Sequence, residues 1–233
     1  INSVPTVVIS AFLGLTILAV YQNYYFILTS VIGFVTIIFQ ACTAGIGNSV
    51  IMETNEKNFG DLKKFTLLIA WIAGFCTCCF LCLYQPFMEI WVGKDLMLNF
   101  TAVICFCIYY FVYEINQLFT TYKDAAGMWH EDRFRPLVTA LANLIISLLL
   151  KQKFGVYGVL FATILSTLFV GMPWLLNNLF TVLFEKEQLK GYLKVLFKYV
   201  FVVILSCVLS YFFCYFIQLN KWGELIVRGV ICC

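Results

Sequence analysis

Long apolar runs separated by short polar turns organise the whole chain. Such runs lie near 4–21, 24–51, 65–84, 97–122, 137–151, 155–183 and 195–219, and another begins near 224. A helix crossing about 30 Å of hydrocarbon needs roughly 20 mostly apolar residues. Barrel strands of about 10 residues would be shorter and would alternate strictly. The pattern therefore predicts an all-α, polytopic transmembrane helical bundle.

Within several runs the polar and small residues repeat every three or four positions, which places them on one helix face. The second run carries Thr29, Gly33, Thr36, Gln40, Thr43 and Gly47 in this way. The fourth carries Tyr110, Glu114, Gln117, Thr121 and Asp124, with Tyr109, Tyr113, Asn116 and Thr120 beside them. Thr139, Asn143 and Ser147 repeat along the fifth, and Thr163, Thr167, Trp174 and Asn178 along the sixth. Stripes of this kind either pack helices closely or line a solute pathway. Packing is the expectation for Gly33, Thr36, Thr163 and Thr167. Glu114 stands apart, because an acid at bilayer depth costs roughly 3 kcal/mol on insertion scales. It needs a wet cavity, a partner or a proton.

The loops carry an uneven charge. Lys57, Lys63 and Lys64 follow the second run, Lys123, Arg133 and Arg135 the fourth, and Lys186, Lys190, Lys194 and Lys198 the sixth. The alternate loops hold only Lys94, the pair Lys151 and Lys153, and Lys221. The positive-inside rule makes the richer set cytoplasmic, so Ile1 starts on that side. Arg228 falls in the last partial run.

Composition narrows the function classes further. The chain is 63% hydrophobic and 12% charged, against roughly 45–50% and about 25% in ordinary soluble domains. That excludes a soluble enzyme, a disordered tail and a nucleic-acid binder. A net charge of +3 is too small to suggest polyanion binding. The eleven cysteines sit inside apolar runs. Cys76, Cys78, Cys79 and Cys82 are densely grouped, but the single histidine, His130, is remote. They read as small lipid-tolerant side chains, and no metal site or cofactor is expected. The absence of an initial Met, and an end within an apolar run, read as an internal piece of a longer chain.

Four stretches in order carry a family resemblance. They are Ile9-Ser10-Ala11-Phe12-Leu13-Gly14 running into Tyr21-Gln22-Asn23-Tyr24-Tyr25; Gly45-Ile46-Gly47-Asn48-Ser49 with Phe59 beyond; Pro86 to Ile90-Trp91-Val92-Gly93; and Ala126-Gly127-Met128-Trp129 through Asp132-Arg133-Phe134-Arg135-Pro136 to Gly155-Val156-Tyr157-Gly158. Together they resemble the second half of the polysaccharide-biosynthesis and oligosaccharide-flippase family of bacterial membrane transporters, the Wzx-like branch of the multidrug/oligosaccharidyl-lipid/polysaccharide superfamily. The resemblance implies a two-lobe alternating-access transporter in the cell membrane. Residues 1–183 would be the C-terminal lobe of about six helices. Residues 184–233 would add a basic loop and further helices, and a missing N-terminal half would supply the other lobe. The partners would be membrane lipids and a lipid-linked oligosaccharide, moved from the cytoplasmic to the outer leaflet for surface polysaccharide assembly.

On this reading the pathway candidates are Glu114, Gln117, Tyr109, Tyr110, Tyr113, Asn178 and Gln40. Lys123, Arg133 and Arg135 are the candidates for capturing a diphosphate head group at the cytoplasmic end. Tyr24 and Tyr25 are expected in an interfacial belt. Two rivals remain. A cation-coupled exporter of the same superfamily would use Glu114. A membrane-embedded transferase would need a convergent catalytic set, for which His130-Glu131-Asp132 is the one candidate.

Overall fold

The computed structural model describes residues 3–216 and 221–232. Ile1, Asn2, Cys233, the stretch 217–220 that closes the seventh apolar run, and the side chains of Ser3 and Lys221 lie outside the described residues. The elements are α1 (Ser3–Phe12), α2 (Leu15–Met52), α3 (Asn55–Trp91), α4 (Phe100–Ala125), α5 (Trp129–Asp132), α6 (Arg135–Phe154), α7 (Val156–Ser166), α8 (Met172–Val182), α9 (Lys186–Tyr215) and α10 (Lys221–Cys232). Among the described residues there are no strands. Among the described residues, six helices are long and apolar enough to cross a membrane: α2, α3, α4, α5 with α6, α7 with α8, and α9. The protein is a multi-pass helical membrane protein by length and composition.

The first two apolar runs divide at a different place from the one the sequence suggests. The polar pair Gln22-Asn23 reads as a turn, yet both residues lie inside α2. The break falls at Gly14, whose φ of 95° is readily adopted only by glycine. This leaves α1 with 10 residues, or about 15 Å of helix, too short to span. Gln22 turns inward and its amide donates to the Thr6 hydroxyl at 3.4 Å, tying α2 to α1.

The bundle is built around α4, which packs against α2, α3, α7 and α8, while α9 and α10 lie along α3. The closest helix pair is α6 with α7. A Cβ at Gly158 would sit 2.6 Å from the Leu150 carbonyl oxygen, so only glycine allows the approach. The same seam carries a buried polar cluster: the Ser147 hydroxyl donates to Asn143 Oδ1 at 3.1 Å, and Asn143 Nδ2 donates to Thr163 Oγ1 at 3.4 Å. Thr163 thus serves helix packing. Between α7 and α8 the backbone opens into one π turn, Thr167–Gly171. Pro173 follows directly, and a proline there cannot donate to the preceding turn.

Hydrogen bonds define two ends of the bundle. At one, Asn55 Nδ2 donates to the Leu183 carbonyl at 2.9 Å and Gln188 Nε2 to Asn55 Oδ1 at 3.1 Å, joining the α2–α3 and α8–α9 turns. The loops of this end carry the basic-rich set. At the other, Tyr24 donates to Gln85 Oε1 and accepts from the Leu98 amide, each at 3.1 Å. Gln85 Nε2 closes the ring on the Leu98 carbonyl at 2.8 Å. Tyr24 is fully buried, so it locks the 94–98 loop rather than standing in a lipid-facing belt. Tyr25 is half-buried against Tyr21, ring centroids 5.6 Å apart.

Candidate functional site

Helix α4 carries two opposed surfaces. Tyr113, Asn116, Gln117, Thr120 and Asp124 recur at helical spacing and are all half-buried. At 3.6 residues per turn they form one polar face along the half of α4 nearer the basic end. Nearly half a turn away, Ile104, Ile108, Val112 and Ile115 border an almost wholly apolar groove of about 750 Å3. Leu176 of α8 and Phe197 and Ile204 of α9 form its other walls.

The polar face ends in aromatic packing towards the other end of the bundle. Tyr109 and Tyr110 are buried. Tyr110 meets Phe80 edge-on with centroids 5.0 Å apart, and Tyr109 lies 6.0 Å from Tyr113. Pro5 of α1, Tyr21 and Tyr25 of α2, Tyr109, and Leu160 and Thr163 of α7 surround one small gap there. Four helices therefore meet where the polar face stops.

Glu114 lies just to one side of this face. It is 1% exposed, and its Oε1 has no hydrogen-bond partner. The neighbouring Tyr110 hydroxyl is likewise buried without a partner. An unpartnered carboxyl in an apolar interior is stable only when it holds a proton or a cation. Gln117 is half-buried on the polar face.

The remaining pathway candidates lie elsewhere. Gln40 is exposed on α2, and the threonines of its stripe turn their hydroxyls onto their own helix. Thr29, Thr36 and Thr43 donate to the Tyr25, Ile32 and Phe39 carbonyls. Asn178 sits at the basic end, where its Nδ2 donates to the Glu131 carbonyl at 3.1 Å and ties α8 to α5. The structure brings Glu114, Gln117, Tyr109, Tyr110 and Tyr113 together on α4; Asn178 and Gln40 do not join them.

The three head-group candidates also separate. Arg135 donates from Nε and a terminal nitrogen to both oxygens of Asp132, at 2.5 and 2.7 Å. Lys123 pairs with Asp124 at 2.5 Å and with Asp132 at 3.7 Å, and its Nζ lies 4.2 Å from the centre of the Trp129 ring. Both cations are buried, so their charges are met within the protein, and neither is free for a diphosphate. Arg133 alone is exposed; it bonds His130 Nε2 at 3.3 Å and lies over Phe134. Asp132 is a hub of the α4–α6 corner, a role the sequence reading did not give it when it placed Asp132 in the His130-Glu131-Asp132 set. The signal available for it was its spacing of three from Arg135, the fork-and-carboxylate arrangement of a helix start.

Among the described residues, one set of side chains could hold a metal: the buried thiols of Cys82, Cys214 and Cys232. Local sequence reading missed it, because its members are scattered along the chain.

Protein-family models, curated proteins and solved structures were compared with the chain, and none matches.

Proposed function

We propose that this chain forms one lobe of a two-lobe, alternating-access flippase for a lipid-linked oligosaccharide. The cargo would pass from the cytoplasmic to the outer leaflet of a bacterial cell membrane. The observation that carries this reading is the separation of surfaces on α4, polar on one side and apolar on the other. A sugar head cannot cross hydrocarbon bare, because each unpaired polar group costs several kcal/mol. Gln117, Asn116, Thr120 and Tyr113 would replace water at the hydroxyls, and flat tyrosine faces suit the C–H faces of sugar rings. The groove of about 750 Å3 offers the lipid tail an apolar surface. The second lobe supplies the opposite wall, and rocking of the two bundles opens the chamber to each side in turn. The family resemblance in the sequence adds to this reading.

The test is transbilayer movement of a fluorescent isoprenoid-diphosphate sugar in vesicles containing the full-length protein. Replacing Tyr113 and Gln117 together by leucine should slow movement at least tenfold at normal expression and folding. Unchanged movement would overturn the pathway. A second reading, a cation-coupled exporter of the same superfamily, draws on the unpartnered buried carboxyl of Glu114.

A further inference from the structure

Three helices converge on one group of thiols. Cys82 of α3, Cys214 of α9 and Cys232 of α10 place their Sγ atoms within 4.8 Å of one another. Their exposures are 0%, 0% and 9%. A second observation comes from Arg228. Its guanidinium donates to the Cys82 carbonyl at 3.2 Å and pairs with Glu224, yet its Nε is buried without a partner. A half-buried cation with an unmet N–H beside three thiols is the surrounding that a thiolate cluster requires.

We propose that Cys82, Cys214 and Cys232 bind a divalent thiophilic d10 cation of the Zn2+ class, which fastens α10 to α3 and α9. Zinc–thiolate bonds are about 2.3 Å long, and sulfurs around one ion therefore stand roughly 4 Å apart, within small side-chain rotations of the present arrangement. Binding breaks three S–H bonds and forms three metal–sulfur bonds. Three protons leave to solvent, and the cluster carries one net negative charge. The Arg228 guanidinium, paired with Glu224, lies beside that charge. Monovalent copper in the same thiolates would leave two net negative charges, one more than the divalent ion leaves to be met in a low-dielectric site.

A cavity of about 310 Å3 between α3 and α9 reaches Cys78 and Cys232, and Ser206 and Ser210 line it.

The full-length protein in lipid nanodiscs, stripped with a chelator, is titrated with Zn2+ and separately with Cd2+, whose thiolate-to-metal absorption reports sulfur ligation. The expected result is one equivalent per chain with proton release. Affinity should fall at least tenfold in Cys82→Ser, Cys214→Ser and Cys232→Ser, and stay unchanged in Cys42→Ser and Cys105→Ser. Binding far below one equivalent, or full binding by Cys82→Ser, would overturn the proposal, as would binding of Cu+ without Zn2+. If a serine variant fails to fold, the unaltered protein decides. Zn2+ should protect Cys232 from a membrane-permeant maleimide read by mass spectrometry, and equal labelling with and without Zn2+ overturns the site.

Discussion

A buried carboxylate flanked by cations has a fixed task, and Asp132 shows it. Its side chain is 4% exposed and faces both Arg135 and Lys123. Removing one member of a buried ion pair strands the other and costs about 3–5 kcal/mol. Asp132→Ala should therefore lower thermal stability sharply in detergent, measured by the midpoint of unfolding. Arg133→Glu, on an exposed side chain, should leave that midpoint within a degree or two. A flat response to Asp132→Ala would show that the corner is held by other contacts. Glu114 raises the opposite question, since its buried Oε1 has no hydrogen-bond partner among the described residues. Glu114→Gln keeps the shape and removes the titrating proton. If the carboxyl couples transport to a cation, the variant should move cargo at a rate independent of an imposed pH or sodium gradient, whereas the parent follows the gradient. Equal gradient dependence in both would remove Glu114 from coupling and leave it a structural acid.

At the scale of elements, what decides each helix end is often a single side chain reaching across the bundle. Tyr24 holds the Leu98 amide and Gln85 together. Tyr24→Phe strands both partners, at about 1–3 kcal/mol for a buried group left unmet. Faster hydrogen exchange confined to residues 94–98 is the expected signature. Gly158→Ala should separate α6 from α7, because the new Cβ meets backbone rather than a movable side chain. A cost of about 1–3 kcal/mol follows from overpacking; an unchanged unfolding midpoint would show that the pair slides freely. These contacts mark the boundary of what the sequence discloses. Apolar run length was enough to place α3, α4, α6, α7 with α8, and α9, because hydrocarbon thickness is written into each run. The stripe on α4 was legible for the same reason, since 3.6-residue spacing is local. The break at Gly14 was not, because Gln22 and Asn23 look like a turn until Thr6 and the core take them in. The burial of Lys123 and Arg135 was equally hidden. A basic residue near a helix end reads as a topology anchor, and only the folded corner shows Asp132 between the two. The thiols of Cys82, Cys214 and Cys232 have no local spacing to betray them.

At the scale of the whole molecule, the charge asymmetry and the hydrogen-bonded ends make one joint prediction. Asn55, Leu183 and Gln188 join one set of turns. Those turns belong to the end that bears Lys57, Lys63, Lys64 and the lysines of early α9. Lys94, Lys151 and Lys153 lie at the opposite end. Short basic loops are retained on the cytoplasmic side, so the two ends should label from opposite sides of a cell membrane. The measurement is aqueous maleimide labelling of single cysteines in a background lacking the half-exposed native ones. Buried Cys82, Cys214 and Cys232 are kept, since they are closed to such a reagent and hold α10 in place. Lys57→Cys and Lys190→Cys should react only after the membrane is opened, and Lys94→Cys and Lys153→Cys in intact cells. The reverse pattern would invert the bundle. The polar face of α4, which runs towards the basic end, would then open to the outer leaflet, where no cytoplasmic precursor waits, and outward flipping would no longer follow from this arrangement.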